Sequence, residues 1–153
     1  MDNSTTVRPA ELGELGVAAD LRAEMALEMG HDWDREHPGW RERFAEFFRE
    51  KQRRGDAQLF YAWFDGKVVA MAAFSVLDEY RAHAFGKPRG FVNSVYVVPA
   101  LRRRGVARAL MVAGLDWLRA RGCVMARLRT SEEGRKLYED LGFVSGTEME
   151  LEL

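Results

Sequence analysis

One stretch limits the folds open to this chain more than any other. From Phe91 to Leu110 a run rich in β-branched and aromatic residues stops at Pro99, and an amphipathic helix takes over within a few positions. Phe91 to Val98 has the make-up of a buried central strand. Pro99 ends it, because proline has no N–H to give a ladder. From Arg104 to Arg121 the apolar residues Val106, Leu110, Ala113 and Trp117 recur at helical steps, and Gly122 closes the helix. A strand that passes straight into a helix calls for a layered α/β domain, with the helix packed back over the sheet.

The rest of the chain fits that architecture. Thr5 to Arg8 reads as a short strand stopped by Pro9. Glu11 to Met29 reads as a helix with Leu12, Leu15, Ala19, Ala23 and Leu27 on its apolar side, ended by Gly30. His31 to Gly39 reads as a loop, and Trp40 to Arg53 as a helix burying Phe44, Phe47 and Phe48. Gln58–Phe64 and Lys67–Leu77 are two strands joined by Asp65-Gly66, a pair suited to the positive φ angles of a two-residue hairpin. Asp78 to Gly90 is a polar loop of the length that often borders a site. Val124–Leu128 is a strand, Glu132–Leu141 a helix capped by Ser131, and Phe143–Leu153 reads as two last strands in which Glu148, Glu150 and Glu152 alternate with Met149, Leu151 and Leu153.

Composition narrows the class. At 153 residues and 47% hydrophobic, the chain is one domain, residues 1–153, able to bury a core without staples. Lys+Arg 23 against Asp+Glu 24 argues against a dedicated nucleic-acid binder. The single cysteine, Cys123, excludes an internal disulfide and fits a reducing compartment, and no zinc ligand set or other metal site is legible. The N-terminus is polar rather than basic and then apolar, and the longest apolar stretch, Val68–Leu77, is too short to span a bilayer. The expectation is a soluble, cytoplasmic, single-domain protein with no nucleic acid or membrane partner.

Chemistry concentrates in Val95-Tyr-Val-Val-Pro-Ala-Leu-Arg-Arg-Arg-Gly-Val-Ala-Arg-Ala-Leu110. A helix start offers unpaired backbone N–H groups and a partial positive charge, which together make an anion site, above all for phosphate. Gly105 lets the backbone come close and Ala107 keeps that face small. Charge-assisted hydrogen bonds of roughly 1.5–3 kcal/mol each make three or four of them comparable with the ~8 kcal/mol of a micromolar ligand. Neither G-x-x-x-x-G-K-[ST] nor G-x-G-x-x-G is present, which sets aside P-loop and dinucleotide sites.

Arg102-Arg103-Arg104-Gly105-Val106-Ala107 resembles [Q/R]-x-x-G-x-[G/A], the acyl-CoA pyrophosphate signature of the GNAT superfamily of N-acetyltransferases. The resemblance extends to the Val-x-Val-x-Pro strand end before it and to Leu137-Tyr138-Glu139-Asp140-Leu141-Gly142-Phe143, which matches the family's L-Y-x-x-L-G-F. It covers nearly the whole chain. It implies an α/β fold with a mixed central sheet of about six or seven strands, splayed at its centre and flanked by helices. It implies acetyl-CoA as the acetyl donor and coenzyme A as product, with a small-molecule amine or peptide amine attacking the thioester directly. On this resemblance the backbone of Tyr96, Val97 and Val98 pairs with the pantetheine arm, and amides of Arg103 through Arg108 (Arg103, Arg104, Gly105, Val106, Ala107 and Arg108) hold the pyrophosphate. Side chains of Arg102, Arg103 or Arg104 add phosphate contacts, and Ser131 touches the lower cofactor. Tyr138 assists the departing thiolate. Full proton transfer from a tyrosine of pKa about 10 to a thiol of about 8.5 is uphill by ~2 kcal/mol, so a strong hydrogen bond describes that role better.

Many family members carry an acid on the central strand to deprotonate the amine. Here Asn93 and Ser94 stand there, which leaves Glu24, Glu28, Glu79 and Glu148 as candidate bases. The acidic stretch from Glu24 to Glu36 suits a cationic amine and equally suits a solvated helix face. The rival function is a non-catalytic acyl-CoA-binding sensor or interaction module with the same fold. A nucleic-acid patch explains the arginine triplet alone. The family also allows a homodimer.

Overall fold

The computed structural model describes residues 4–80 and 84–153. The strands are β1 (Thr6–Pro9), β2 (Ala57–Phe64), β3 (Lys67–Leu77), β4 (Arg89–Val97) and β5 (Ala126–Leu128). The helices are α1 (Leu15–Glu28), α2 (Trp33–Glu36), α3 (Trp40–Arg53), α4 (Val106–Ala120) and α5 (Glu132–Asp140). The sheet runs in sequence order, β1-β2-β3-β4-β5. Its first four strands are antiparallel neighbours, and β5 joins β4 in parallel after the α4 crossover.

Period-2 alternation sorts the strand residues into two layers. Leu59, Tyr61, Met71, Ala73 and Tyr96 pack with Leu15, Ala18 and Leu21 of α1 and Ala45 and Phe48 of α3. Phe60, Ala62, Ala70, Ala72, Phe74, Val92 and Val97 pack with Val106, Leu110, Met111 and Leu118 of α4. The helix comes so close that a Cβ built on Gly114 would lie 1.9 Å from Cζ of Phe74. On the opposite layer, Tyr61 anchors the start of α1: its buried hydroxyl donates to Glu14 O (2.8 Å) and accepts from Ala18 N (3.1 Å). The β2–β3 turn has the two positive φ angles its sequence requires, 49° at Asp65 and 71° at Gly66.

Several expectations need correction. The first helix begins at Leu15, after a 3-10 turn over Leu12–Glu14, and Leu12 and Leu27 are exposed. Two layers, the sheet and α3, cover α1, so its buried arc is broad and runs through Ala18, Leu21 and Ala26 rather than along one three- and four-residue stripe. The segment His31–Gly39 contains the one-turn helix α2, capped by the Asp32 side chain. Phe47 is 55% exposed, because α3 is covered along Trp40, Ala45 and Phe48, with Phe44 half-buried beside them; Lys51 lies over the Phe47 ring. The largest difference is at the C-terminus. Five strands form among the described residues, and none lies beyond Leu128. Glu148 and Glu150 pair with Arg127 and Arg129 of the β5 region, while Met149, Leu151 and Leu153 face solvent. Alternation makes a segment fit for a strand, but a ladder also needs a free edge at the right distance.

Candidate active site

Two local departures open the sheet. The β3–β4 register slips between Met71 and Ala73, where Ser94 and Val95 together oppose Ala72, and Ser94 takes a φ of 56°. β5 pairs with β4 over Gly90–Val92 alone. From Asn93 onward the β5-facing edge of β4 has no strand beside it among the described residues. At its end Val98 N–H donates inward to Val69 O, so alternation turns the peptide groups of Val97 to the open edge. This is the splay expected of the central strands.

Beyond that edge the chain turns through Pro99–Leu101 and enters α4. Arg103 (φ 63°) and Gly105 (φ 79°) both lie in the left-handed region, a reversal that turns successive N–H groups to one side. The first helical acceptor is Gly105 O, taken by Ala109 N. The amides from Arg103 to Arg108 therefore precede the internal ladder of α4 and have no backbone acceptor among the described residues. A Cβ at Gly105 would meet nothing within 4 Å, so the concavity is open. Arg103, Arg104 and Arg108 are exposed and have no ion-pair partner among the described residues. Val106 is buried under the turn and Ala107 half-buried beside it. Free amides, open space and three uncommitted guanidinium groups are what a pyrophosphate with a further phosphate calls for.

Arg102 behaves differently from its neighbours. Its Nη2 donates to both oxygens of Glu28 (2.9 and 2.7 Å) and its Nε to Val97 O (2.8 Å), and its guanidinium lies 5.5 Å from the Tyr96 ring. Tyr96 is buried and donates to Glu28 Oε1 at 2.6 Å, with Glu24 Oε2 at 3.5 Å. Burial and then Glu28 push the Tyr96 hydroxyl well above its ordinary pKa; the hydrogen bonds from Tyr96 and Arg102 hold the Glu28 carboxyl below its own. The four carboxylates named as bases therefore separate. Glu28 is engaged by Tyr96 and Arg102, Glu79 faces Arg89 at 3.2 Å, and Glu148 pairs with Arg127 at 2.9 Å. Glu24 alone has no arginine against it among the described residues.

Tyr138, on α5, packs half-buried against the α4 layer, with its ring edge-on to Phe143 at 5.9 Å. Its hydroxyl makes no hydrogen bond among the described residues. Burial raises its pKa above the ordinary tyrosine value, which keeps the proton on the oxygen at neutral pH. Ser131 is the N-cap of α5, and its Oγ accepts from Gly134 N at 3.3 Å. Burial likewise lifts the pKa of the Cys123 thiol.

Sequence reasoning missed Arg22, Trp33 and the state of Asn93. The Arg22 guanidinium lies 4.3 Å over the Trp33 ring, and its Nη1 is buried without a hydrogen-bond partner. The Oδ1 of Asn93 is buried without one too. A helical-wheel reading of α1 places Arg22 among Ala18, Ala19, Met25 and Ala26, an isolated cation in an alanine-rich arc. A separate hollow of about 370 Å³ opens beside Glu79, Lys87 and Val124, at the other end of β4.

A model of the acetyltransferase (GNAT) family matches residues 26–143. Over 127 residues the chain is 32% identical to aminoglycoside N(6')-acetyltransferase type 1 of Klebsiella aerogenes, covering 80% of this chain and 76% of that protein. It is 30% identical over 78 residues to glucosamine 6-phosphate N-acetyltransferase of Trypanosoma brucei brucei, covering 51% of this chain and 52% of that one. A predicted acetyltransferase from Clostridium acetobutylicum, solved with acetyl-CoA, superposes with a TM-score of 0.85 at 19% identity, over 98% of this chain and 96% of that chain. Aminoglycoside N-acetyltransferase AAC(6')-Iy in complex with CoA superposes with a TM-score of 0.78 at 22% identity, over 100% and 96% of the two chains. The chain belongs to the acetyltransferase (GNAT) family. Its activity is the acetyl-CoA-dependent N-acetylation of an amine.

Proposed function

We propose that the protein acetylates the primary amine of a small molecule, using the Arg103–Arg108 turn to hold the donor, Glu24 as base and Tyr138 to assist the leaving thiolate. The observation that carries this reading is the row of unpaired amides at the mouth of the open β4 edge. Acetyl-CoA supplies the acetyl group as a thioester. The amides of Arg103 through Arg108 hold its pyrophosphate, and Arg103, Arg104 or Arg108 reaches a further phosphate. Arg102 does so only by giving up Glu28. Val97 offers its N–H to the pantetheine arm, its carbonyl already accepting from Arg102 Nε; Tyr96 and Val98 line the arm, and Ser131 stands at the start of α5.

An alkylammonium of pKa near 10 must lose a proton before it can attack. Glu24 is suited to take it, being next to Tyr96 and free of arginine. Glu28 is poorly suited, because its hydrogen bonds make it a weaker base. As the new C–N bond forms and the C–S bond breaks, the Tyr138 hydroxyl donates to the departing sulfur. Small-molecule acceptors are supported by the relatives' names, which specify an aminoglycoside and an amino-sugar phosphate. A cytoplasmic location fits the single thiol. A homodimer is supported by exposed Met149, Leu151 and Leu153 on a segment patterned as a strand, and light scattering of the purified protein tests it.

The test of function is thiol release from acetyl-CoA with a panel of small amines, aminoglycosides and peptide amino termini. Release that depends on a small amine and falls in Glu24→Gln supports the reading. Tight donor binding without release from any acceptor refutes it in favour of a sensor.

A further inference from the structure

Ion pairs hold part of the charge around the first two helices, and of their cations Arg35 is exposed without an acidic partner among the described residues while Arg22 is packed against a ring. Arg41 pairs with Asp34 and Asp20, Arg102 with Glu28, and Glu36 with His31. Asp34 and Glu28 are thereby held by arginines, while Glu24 has none against it among the described residues. Arg22 has no acidic partner among the described residues, only the face of Trp33. It sits in the middle of the arc that α1 turns to the protein, beside Ala18, Ala19 and Ala26, all almost wholly buried. Three alanines leave the room that a guanidinium occupies. A buried N–H donor without an acceptor costs free energy, and a structural arginine in such a place ordinarily brings a carboxylate with it.

Position relates this group to the reaction. Glu24 and Glu28, two and six residues further along the same helix, reach Tyr96 on the part of β4 that has no β5 beside it. The C-terminal half of α1 therefore overlies the opened strand. Asn93 faces the same layer, since its cross-strand partner Ala73 packs with α1. Its unpaired Oδ1 is an acceptor, and Arg22 Nη1 is an unpaired donor. The phosphate-holding amides lie at the start of α4, on the other face of the sheet, which leaves the α1 side for the acceptor.

Resting on the acetyltransferase reading, we infer that Arg22, laid on Trp33, docks an oxyanion of the acceptor, so that the preferred substrate is an amine that also carries a carboxylate or phosphate rather than a polycation. Trp33 fixes the plane of the half-buried guanidinium, whose accessible edge meets the oxyanion with no competing acid. Burial lowers the Arg22 pKa with no acid to offset it, as expected of a cation that lacks its counter-charge. Arg22 is a specificity-determining residue in this account and takes no part in bond making.

The experiment compares amines matched except for the anion: glucosamine 6-phosphate with glucosamine for a phosphate, lysine with cadaverine for a carboxylate, and kanamycin as the polycation. In at least one pair the anionic member has kcat/KM higher by about tenfold or more, and Arg22→Gln brings the ratio to about one while Arg22→Lys keeps part of it. A ratio near one in the wild type, or an unchanged ratio in Arg22→Gln, overturns the inference. So does kanamycin as the best acceptor. Titration calorimetry with the same compounds reads the preference without turnover. Equal affinity for both members of each pair overturns the docking role, whereas anion-dependent binding without thiol release from any amine refutes acetyl transfer and upholds the anion site. The thermal midpoint of Arg22→Gln stays close to that of the wild type, because no ion pair is lost and only the Trp33 stacking goes; a marked fall assigns Arg22 to structure and overturns the proposal.

Discussion

Replacing Tyr138 by Phe isolates a single hydroxyl. The ring remains, and with it the edge contact to Phe143 and the packing against the α4 layer. The hydroxyl has no hydrogen-bond partner among the described residues, so its removal costs folding nothing in lost bonds. The thermal midpoint therefore stays where it is. On the proposed role of Tyr138, what the variant loses is a donor to a developing thiolate. A hydrogen bond to a charged group contributes about 1.5–3 kcal/mol, and each 1.4 kcal/mol is about tenfold, so kcat falls by roughly 10- to 100-fold. Donor binding is unchanged, because the interaction strengthens only as the C–S bond breaks. Burial raises the Tyr138 pKa, so the wild-type hydroxyl keeps its proton through neutral and mildly alkaline pH, and its contribution persists across that range. Stopped thiol-release traces with a disulfide reagent give kcat, and calorimetry gives the acetyl-CoA affinity. Unchanged kcat removes Tyr138 from the chemistry, and a parallel loss of donor affinity makes it a binding residue instead.

Gly105→Glu puts bulk and negative charge at the phosphate turn and forces an L side chain to φ 79°; acetyl-CoA affinity falls by about 100-fold or more, with the calorimetric heat as readout. Gly114→Ala sets a methyl 1.9 Å from Phe74 Cζ and lowers unfolding stability by about 1–3 kcal/mol or more in urea titrations, since α4 must move off β3. Glu28→Gln tests linkage: the native Glu28 pKa is lowered by Tyr96 and Arg102, so its contribution is present above the unfolded glutamate value of about 4.3 and is lost as pH falls below it. The difference in thermal midpoint between wild type and Glu28→Gln is accordingly full at neutral pH and closes on acidification.

The parts of the fold legible in the sequence are those fixed by local rules. The β2–β3 hairpin follows from Asp65-Gly66 between apolar runs, and the β4–α4 unit from Pro99 and the Gly105 helix start. Ser131 caps α5 as its position implies. Long-range partnership was less legible. Nothing in the period-2 pattern of Phe143–Leu153 says whether a sheet edge is free to receive it, and Phe47 and Phe48 are indistinguishable until the side from which α3 is covered is known. The same holds for the site. The arginine triplet reads as one patch, yet Glu28, 74 positions away, takes Arg102 out of it. Arg22 is an ordinary helical arginine in sequence, and only its burial against Trp33 without a carboxylate distinguishes it.

The turn from Arg103 to Arg108 is the proposed seat of the acetyl-CoA phosphates. Calorimetric titration of the purified protein with acetyl-CoA, followed by dephospho-CoA, tests it most directly. The expected result is one donor per chain with a micromolar dissociation constant, and weaker binding of dephospho-CoA through the loss of arginine contacts. Absence of heat with both ligands would contradict it.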